Sequence, residues 1–230
     1  MRNEPDSVML FAAGFGTRMG ELTARTPKPL IEVAGKPLID HALDQVRGIG
    51  PDRIVINLHY RAKQIETHLA GQGVFFSHED PDILETGGGL QHALPLLGGG
   101  PVFTMNTDSA WSGPNPLTQL AKNWDPNLMD GLLLCLPRDR AIGHNGTGDF
   151  LMSDEGQLTR GPGVVYSGLQ IVKTEGLAQI PQPAFSLNLL WDKMLRARRL
   201  FGIVYDGYWC DVGTPKGVHL AEAMLRNADV

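Results

Sequence analysis

The stretch VMLFAAGFGTRMGELTARTPKPL, residues 8–30, decides how the rest of the chain is read. Val8 to Ala12 is a short apolar run of the kind that forms a buried strand. Gly14 and Gly16 follow at once and let the backbone approach a ligand closely. A glycine loop at the end of a strand exposes backbone N–H groups that can bind phosphate oxygens. Glycines alone also make a tight turn that binds nothing. GFGTRM places Met19 where a dinucleotide fingerprint has its last glycine, and it lacks the GxxxxGK[ST] form of a P-loop. The cations that follow say more. Arg18 offers a rigid fork for phosphate oxygens. Lys28 is a compact charge between Pro27 and Pro29, which stiffen the backbone around it. Solvation is the ordinary fate of such side chains. Beside a glycine loop, however, the pair is suited to hold a triphosphate and to stabilise charge on a departing pyrophosphate.

Outward from this loop, strand and helix alternate. Residues 39–47 have helical spacing, 53–58 (RIVINL) read as a β-branched strand, and 62–70 as an amphipathic helix. VFFS is a short strand, a helix follows near 88–94, and 101–106 and 131–136 read as buried strands. This alternation predicts an α/β fold with a mostly parallel sheet flanked by helices. Sites in such sheets lie outside the carboxyl ends of the strands, where the opening loop and Asp108 both fall. The second half changes texture. Residues 149–160 predict a hairpin turning at Glu155-Gly156, and 163–172 one or two strands. A helix is expected over 186–199 with Ser186 as N-cap, then a strand at FGIVYDG and a closing helix over 214–226. Without repeat or linker, the chain is expected to be a single domain over 1–230. Residues 1–135 would form its nucleotide half and 136–230 its substrate half.

Composition narrows the partners. The chain has 230 residues, is 42% hydrophobic and carries a formal net charge of -5. An acidic balance argues against general nucleic-acid binding. A local pocket can still be positive on an acidic protein. Cys135 and Cys210 have no metal-like spacing and form no disulfide framework, so free thiols in a reducing compartment are expected. The first residues lack a signal-peptide apolar run, and no stretch reaches the ~20 apolar residues of a membrane span. A cytoplasmic protein without a membrane partner is expected.

Asp108 closes the strand-like VFTMNTD, a position suited to a hard cation that prefers oxygen ligands; a turn or N-cap role is the plain alternative. Asp211 in GYWCDVGTP is a second candidate close to a helix start. GFGTRMGELTARTPKPLIEVAGKPLI resembles the signature of the sugar-1-phosphate nucleotidylyltransferases, GxGTRhxxxTxxxPKxL, including Gly14, Gly16, Thr17, Arg18, Pro27, Lys28 and Leu30. The resemblance continues through ETGGGL, NTD, GTGDF and WCDVGTP, over nearly the whole chain. GTGDF, the SG strand at 167–168 and SLNLLWDKML are most like the bacterial N-acetylmuramate-1-phosphate uridylyltransferase branch. ETGGGL is shared with the mannose-1-phosphate guanylyltransferases.

The resemblance implies a Rossmann-like α/β fold, an NTP substrate, Mg2+ and a sugar 1-phosphate. It implies catalytic roles for Arg18, Lys28 and Asp108, and metal ligation by Asp108 and Asp211. Nucleotide binding would fall to Ala13, Gly14, Phe15, Gly16, Thr17, Arg18, Lys28, Glu85, Thr86, Gly87 and Gly88. Sugar binding would fall to Asn106, Gly146, Gly148, Asp149, Ser167 and Gly168. The family commonly has Gly-Asp where this chain has Thr107-Asp108, and threonine resists positive φ. In the implied reaction, a phosphate already ionised at neutral pH attacks the α-phosphorus and pyrophosphate leaves. No general base is needed, so His144 is expected in a pocket or at the surface, and Trp191 in the core. UTP and N-acetylmuramate 1-phosphate are the expected substrates, and GTP with mannose 1-phosphate the alternative. A non-catalytic sugar-nucleotide-binding regulator need not keep both cations and both carboxylates. A monomer or small homo-oligomer is expected.

Overall fold

The computed structural model describes residues 3–228. Its first half runs β1 (Ser7–Phe11), β2 (Glu32–Val33), β3 (Lys36–Pro37), α1 (Leu38–Arg47), β4 (Arg53–Leu58), α2 (Ala62–His68), β5 (Phe75–His78), α3 (Glu85–Leu97), β6 (Val102–Asn106), β7 (Ser109–Ser112) and α4 (Pro116–Asn123). The second half runs β8 (Gly131–Leu136), β9 (Ala141–Ile142), β10 (Phe150–Met152), β11 (Leu158–Arg160), β12 (Val165–Val172), α5 (Asn188–Arg196), β13 (Leu200–Val204), β14 (Tyr208–Asp211) and α6 (Pro215–Ala228).

Seven strands form the central sheet in the order β13-β8-β12-β6-β1-β4-β5. It draws strands from both halves of the chain. All neighbours are parallel except β12, which runs antiparallel to both β6 and β8. The central strands read as continuous apolar runs because both faces are covered. Their side chains alternate between two cores. Val8, Leu10, Ile54, Ile56 and Leu58 join the layer of α1, α2 and α4 through Leu43, Ile65 and Leu117. Met9 and Val55 point the other way, onto α3 and α5 through Leu90, Ala93, Leu190 and Met194. Fully burying one such side chain is worth about 1.5–3 kcal/mol, and this two-sided burial holds the sheet between its helices. A third apolar cluster joins α6 to the small β7-β14-β9 sheet through Cys210, Val212, Ala221 and Met224.

The chain moves from β1 out to β4 and β5, then crosses back to place β6 on the other side of β1. The carboxyl ends of β1 and β6 therefore lie side by side, with Phe11 opposite Asn106. A crevice at such a reversal is where open α/β sheets bind ligands. Thr107 fits there: its hydroxyl donates to the Phe11 carbonyl at 2.7 Å, and it is not among the positive-φ residues.

Candidate active site

The opening loop leaves β1 with the Ala12 N–H donating to Asn57 Oδ1 at 2.7 Å. Gly16 then adopts φ +65°, which costs glycine little, and starts a 3-10 run over Thr17–Thr23. Met19 is buried in the α6 cluster and anchors that run. Thr23 donates its hydroxyl to the Gly16 carbonyl at 3.0 Å. The chain then returns through Pro27 so closely that a Cβ on Gly16 would lie 3.0 Å from Lys28 Cβ. Lys28 is thereby held beside the loop, only 8% exposed, with its Nζ 2.7 Å from Asp108 Oδ2.

Asp211 reaches the same place through the second sheet. β14 pairs antiparallel with β7, setting Asp211 opposite Ser109, and the Val212 N–H donates to the Asp108 carbonyl at 2.9 Å. Gly213 leaves room beside both Arg18 and Asp211. A Cβ there would lie 3.0 Å from both Arg18 Nη1 and Asp211 Oδ1. The Asp211 carboxyl is pushed up from its ordinary value, first by burial and then by the charge of Asp108, while Lys28, Arg18 and His144 oppose the shift. Two carboxylates and two cations are thus gathered at one point, and the carboxylates repel each other.

A cavity of about 310 Å³ opens beside them. Ala13, Gly14, Gly16, Thr17, Arg18, Lys28, Glu85, Thr86, Asn106 and Asp108 all line it, as do Asn57 and Glu79. The last two form a buried strut. Asn57 Nδ2 donates to Glu79 Oε1 at 2.7 Å, and the Leu84 N–H donates to Glu79 Oε2 at 2.7 Å. Neither was singled out from sequence, although an asparagine inside the apolar run RIVINL was the available signal.

Several expected contacts lie elsewhere. Gly87 and Gly88 are absent from the cavity lining: they sit in the first turn of α3 with both N–H groups on the Phe185 carbonyl. A Cβ on Gly87 would strike the Phe185 ring, and one on Gly88 the Pro183 carbonyl. Their smallness serves packing against the 183–185 segment. Phe15 packs edge-on against His59, ring centroids 5.3 Å apart, outside the lining. Thr86 accepts from the Leu187 N–H at 3.0 Å. The expected N-cap at Ser186 falls one residue short, since Leu187 occupies that position.

A second cavity, also about 310 Å³, shares Phe11, Thr86 and Asn106 with the first. Asp149 lines it and accepts the Tyr166 N–H at 2.9 Å. Arg160, not anticipated from sequence, lines it too. Gly146, Gly148, Ser167 and Gly168 are absent from its lining. Ser167 donates to the Leu134 carbonyl at 2.7 Å. Gly168, at φ +82° in a bulge of β12, lies so close to Asn106 that a Cβ would sit 2.6 Å from Asn106 Nδ2. Trp191 is 7% exposed and donates its Nε1–H to Gln170 Oε1 at 2.8 Å. His144 is partly buried, and its Nε2 has no hydrogen-bond partner among the described residues. Both cysteines are free and buried.

Known proteins are similar to this chain over nearly its whole length. An N-acetylmuramate alpha-1-phosphate uridylyltransferase of Caulobacter vibrioides is 39% identical over an alignment covering 99% of this chain and 100% of the relative. One from Neisseria meningitidis is 35% identical, covering 94% of this chain and 96% of its own length. The crystal structure of HddC from Yersinia pseudotuberculosis complexed with GMP-PN superposes with a TM-score of 0.77 at 21% identity, covering 95% of this chain and 99% of that one. Its likeness is one of fold. The family model of the MobA-like NTP transferase domain matches residues 8–191, and the chain belongs to that nucleotidyltransferase family.

Proposed function

We propose that the chain transfers a uridylyl group from UTP to N-acetylmuramate 1-phosphate, giving the UDP-sugar and pyrophosphate. The observation that carries the reading is the convergence of Arg18, Lys28, Asp108 and Asp211 beside the nucleotide-loop cavity, which joins a second cavity at Phe11, Thr86 and Asn106. The full-length relatives supply the choice of base and sugar. In this reading, the half before about residue 135 serves the nucleotide and the remainder serves the sugar. A cytoplasmic location belongs to the same proposal; among the described residues no helix is long and apolar enough to cross a membrane.

Mg2+ fits the donor set. Asp108 and Asp211 offer hard oxygen ligands, and a bound cation would offset the Asp108 charge that, after burial, raises the Asp211 carboxyl. Among the described residues no group of three or more His, Cys, Asp or Glu gathers, so phosphate and water oxygens would complete the shell. When bound, the ion neutralises phosphate charge and polarises the phosphoryl oxygens. The chain's own residues do the rest. The N–H groups of the 13–17 loop cradle the phosphates, and Arg18 and Lys28 hold the triphosphate against pyrophosphate's growing charge. Asn106, common to both cavities, steers the sugar phosphate to the α-phosphorus. An oxygen of the sugar phosphate forms the new bond to the α-phosphorus as the bond from that phosphorus to the α–β bridging oxygen breaks, and its electron pair leaves with pyrophosphate.

The test is pyrophosphate release with Mg2+, crossing UTP and GTP with N-acetylmuramate 1-phosphate and mannose 1-phosphate, with Asp108→Asn beside the wild type. Turnover with UTP and the muramate ester, lost in the variant, supports the reading. Turnover confined to GTP and mannose 1-phosphate keeps the mechanism and overturns the substrates. No turnover by folded protein in any pairing overturns the reading as a whole.

A further inference from the structure

Arg160 ends β11 opposite Phe150 of β10. Its guanidinium lies 4.9 Å from the Phe150 ring centroid and 5.7 Å from that of Trp191. Stacking on two aromatic faces holds a guanidinium in place while leaving its edge available. Nη2 makes both of its bonds, to Asn188 Oδ1 at 2.7 Å and to Asp192 Oδ1 at 3.0 Å. No described residue accepts from Nε or Nη1. The ion pair is 42% exposed on each side and holds the charge only weakly.

Among the described residues, Arg160 is also the one cation in the lining of the second cavity. The carboxylate there, Asp149, already has Oδ2 on the Tyr166 N–H. An anionic group entering this cavity therefore has a single positive partner. N-Acetylmuramate differs from N-acetylglucosamine by a lactyl ether that ends in a carboxylate, on the ring carbon two positions from the phosphate-bearing one. A sugar whose phosphate enters at Asn106, where the cavities join, carries that ether into the second cavity.

We propose that Arg160 selects the sugar by binding the lactyl carboxylate through its Nε–Nη1 edge; this inference rests on the muramate reading above. It makes Arg160 a specificity residue that the reaction itself does not use.

The experiment compares kcat/KM with UTP for N-acetylmuramate 1-phosphate and for its lactamide, in which the carboxylate becomes a neutral amide. Wild type, Arg160→Met, Arg160→Lys and Asp192→Asn are measured side by side. A hydrogen-bonded charge in a half-open site predicts that wild type favours the acid roughly 10- to 100-fold. Arg160→Met should bring that ratio close to one, Arg160→Lys should keep part of it, and Asp192→Asn, which frees the guanidinium, should raise it. A purely structural Arg160 would lower both substrates alike and leave the ratio intact, overturning the proposal. If Arg160→Met does not fold, an unchanged ratio in Asp192→Asn overturns it equally. A wild type that uses the acid with no preference over the amide overturns the role of Arg160 and leaves the uridylyltransferase reading standing. A wild type that ignores both muramate substrates while using mannose 1-phosphate removes the reading and the inference together.

Discussion

Gly213→Ala probes the site with one methyl group. The added Cβ would lie 3.0 Å from Arg18 Nη1, 3.0 Å from Asp211 Oδ1 and 3.1 Å from Arg18 Cζ. Ordinary contact begins at 3.4 Å, so about 0.4 Å must be given up. Gly213 is not in the left-handed region, so the backbone accepts alanine without strain. The Arg18 side chain is exposed and long, and it yields before the backbone-tethered Asp211 does. A 1 Å misplacement at a reacting centre costs up to about 10²-fold, so a shift of this size costs roughly 5- to 10-fold in kcat/KM. Folding stability should change by less than about 1 kcal/mol, because a flexible side chain absorbs the clash. Pyrophosphate release and thermal melting, measured together, read the two quantities. Arg18→Met removes the cation altogether, at a cost of about 10²–10³-fold. The double variant should then be no worse than Arg18→Met, since the methyl has lost its target. A Gly213→Ala penalty that persists in full on the Arg18→Met background refutes the reasoning and moves the effect to Asp211.

Three further outcomes follow from the same geometry. Lys28→Met removes the 2.7 Å partner of Asp108 and a phosphate-facing cation, so kcat/KM for pyrophosphate release should fall at least about 10²-fold; a loss under threefold would place Lys28 outside the chemistry. Gly88→Ala drives a Cβ into the Pro183 carbonyl and should cost about 1–3 kcal/mol in melting experiments, with UTP affinity of the folded protein nearly unchanged; weaker UTP binding without lost stability would put Gly88 against the base. Asp211 has a raised carboxyl in the folded state, so the native protein holds more protons than the unfolded chain between the ordinary carboxylate value and the raised one. Stability then falls as pH rises through the raised value, and the penalty is absent below the unfolded one. Without divalent cation, Asp211→Asn should therefore melt higher than wild type at neutral pH, with the gain fading in acid; a lower melting point at neutral pH would contradict the repulsion between Asp108 and Asp211.

What was legible in the sequence follows from how far apart the interacting residues lie. Gly14, Gly16, Arg18 and Lys28 form a local device, and the apolar run before them with Pro27 and Pro29 after it was enough to read a strand, a loop and a fixed cation. Asp108 was legible as the residue that closes a buried strand, but its choice over a turn or N-cap role came from the resemblance. Asp211 depended on resemblance, because only the pairing of β14 with β7 carries it to Asp108, and neither short strand announces itself by period. Strand β12 turns antiparallel because the connection from β8 contains the β10–β11 hairpin instead of a crossover helix; alternation of strand and helix in the first half gave no warning of that. The glycines at 87–89 show the limit most clearly. Read locally, three small residues at a helix start invite a flat base. In the fold, Gly87 and Gly88 admit the 183–185 segment, and Gly89 admits the Asn57–Glu79 strut. Their smallness therefore shapes the nucleotide cavity from behind, because that strut lines the cavity while holding Ala12 at the mouth of the phosphate loop.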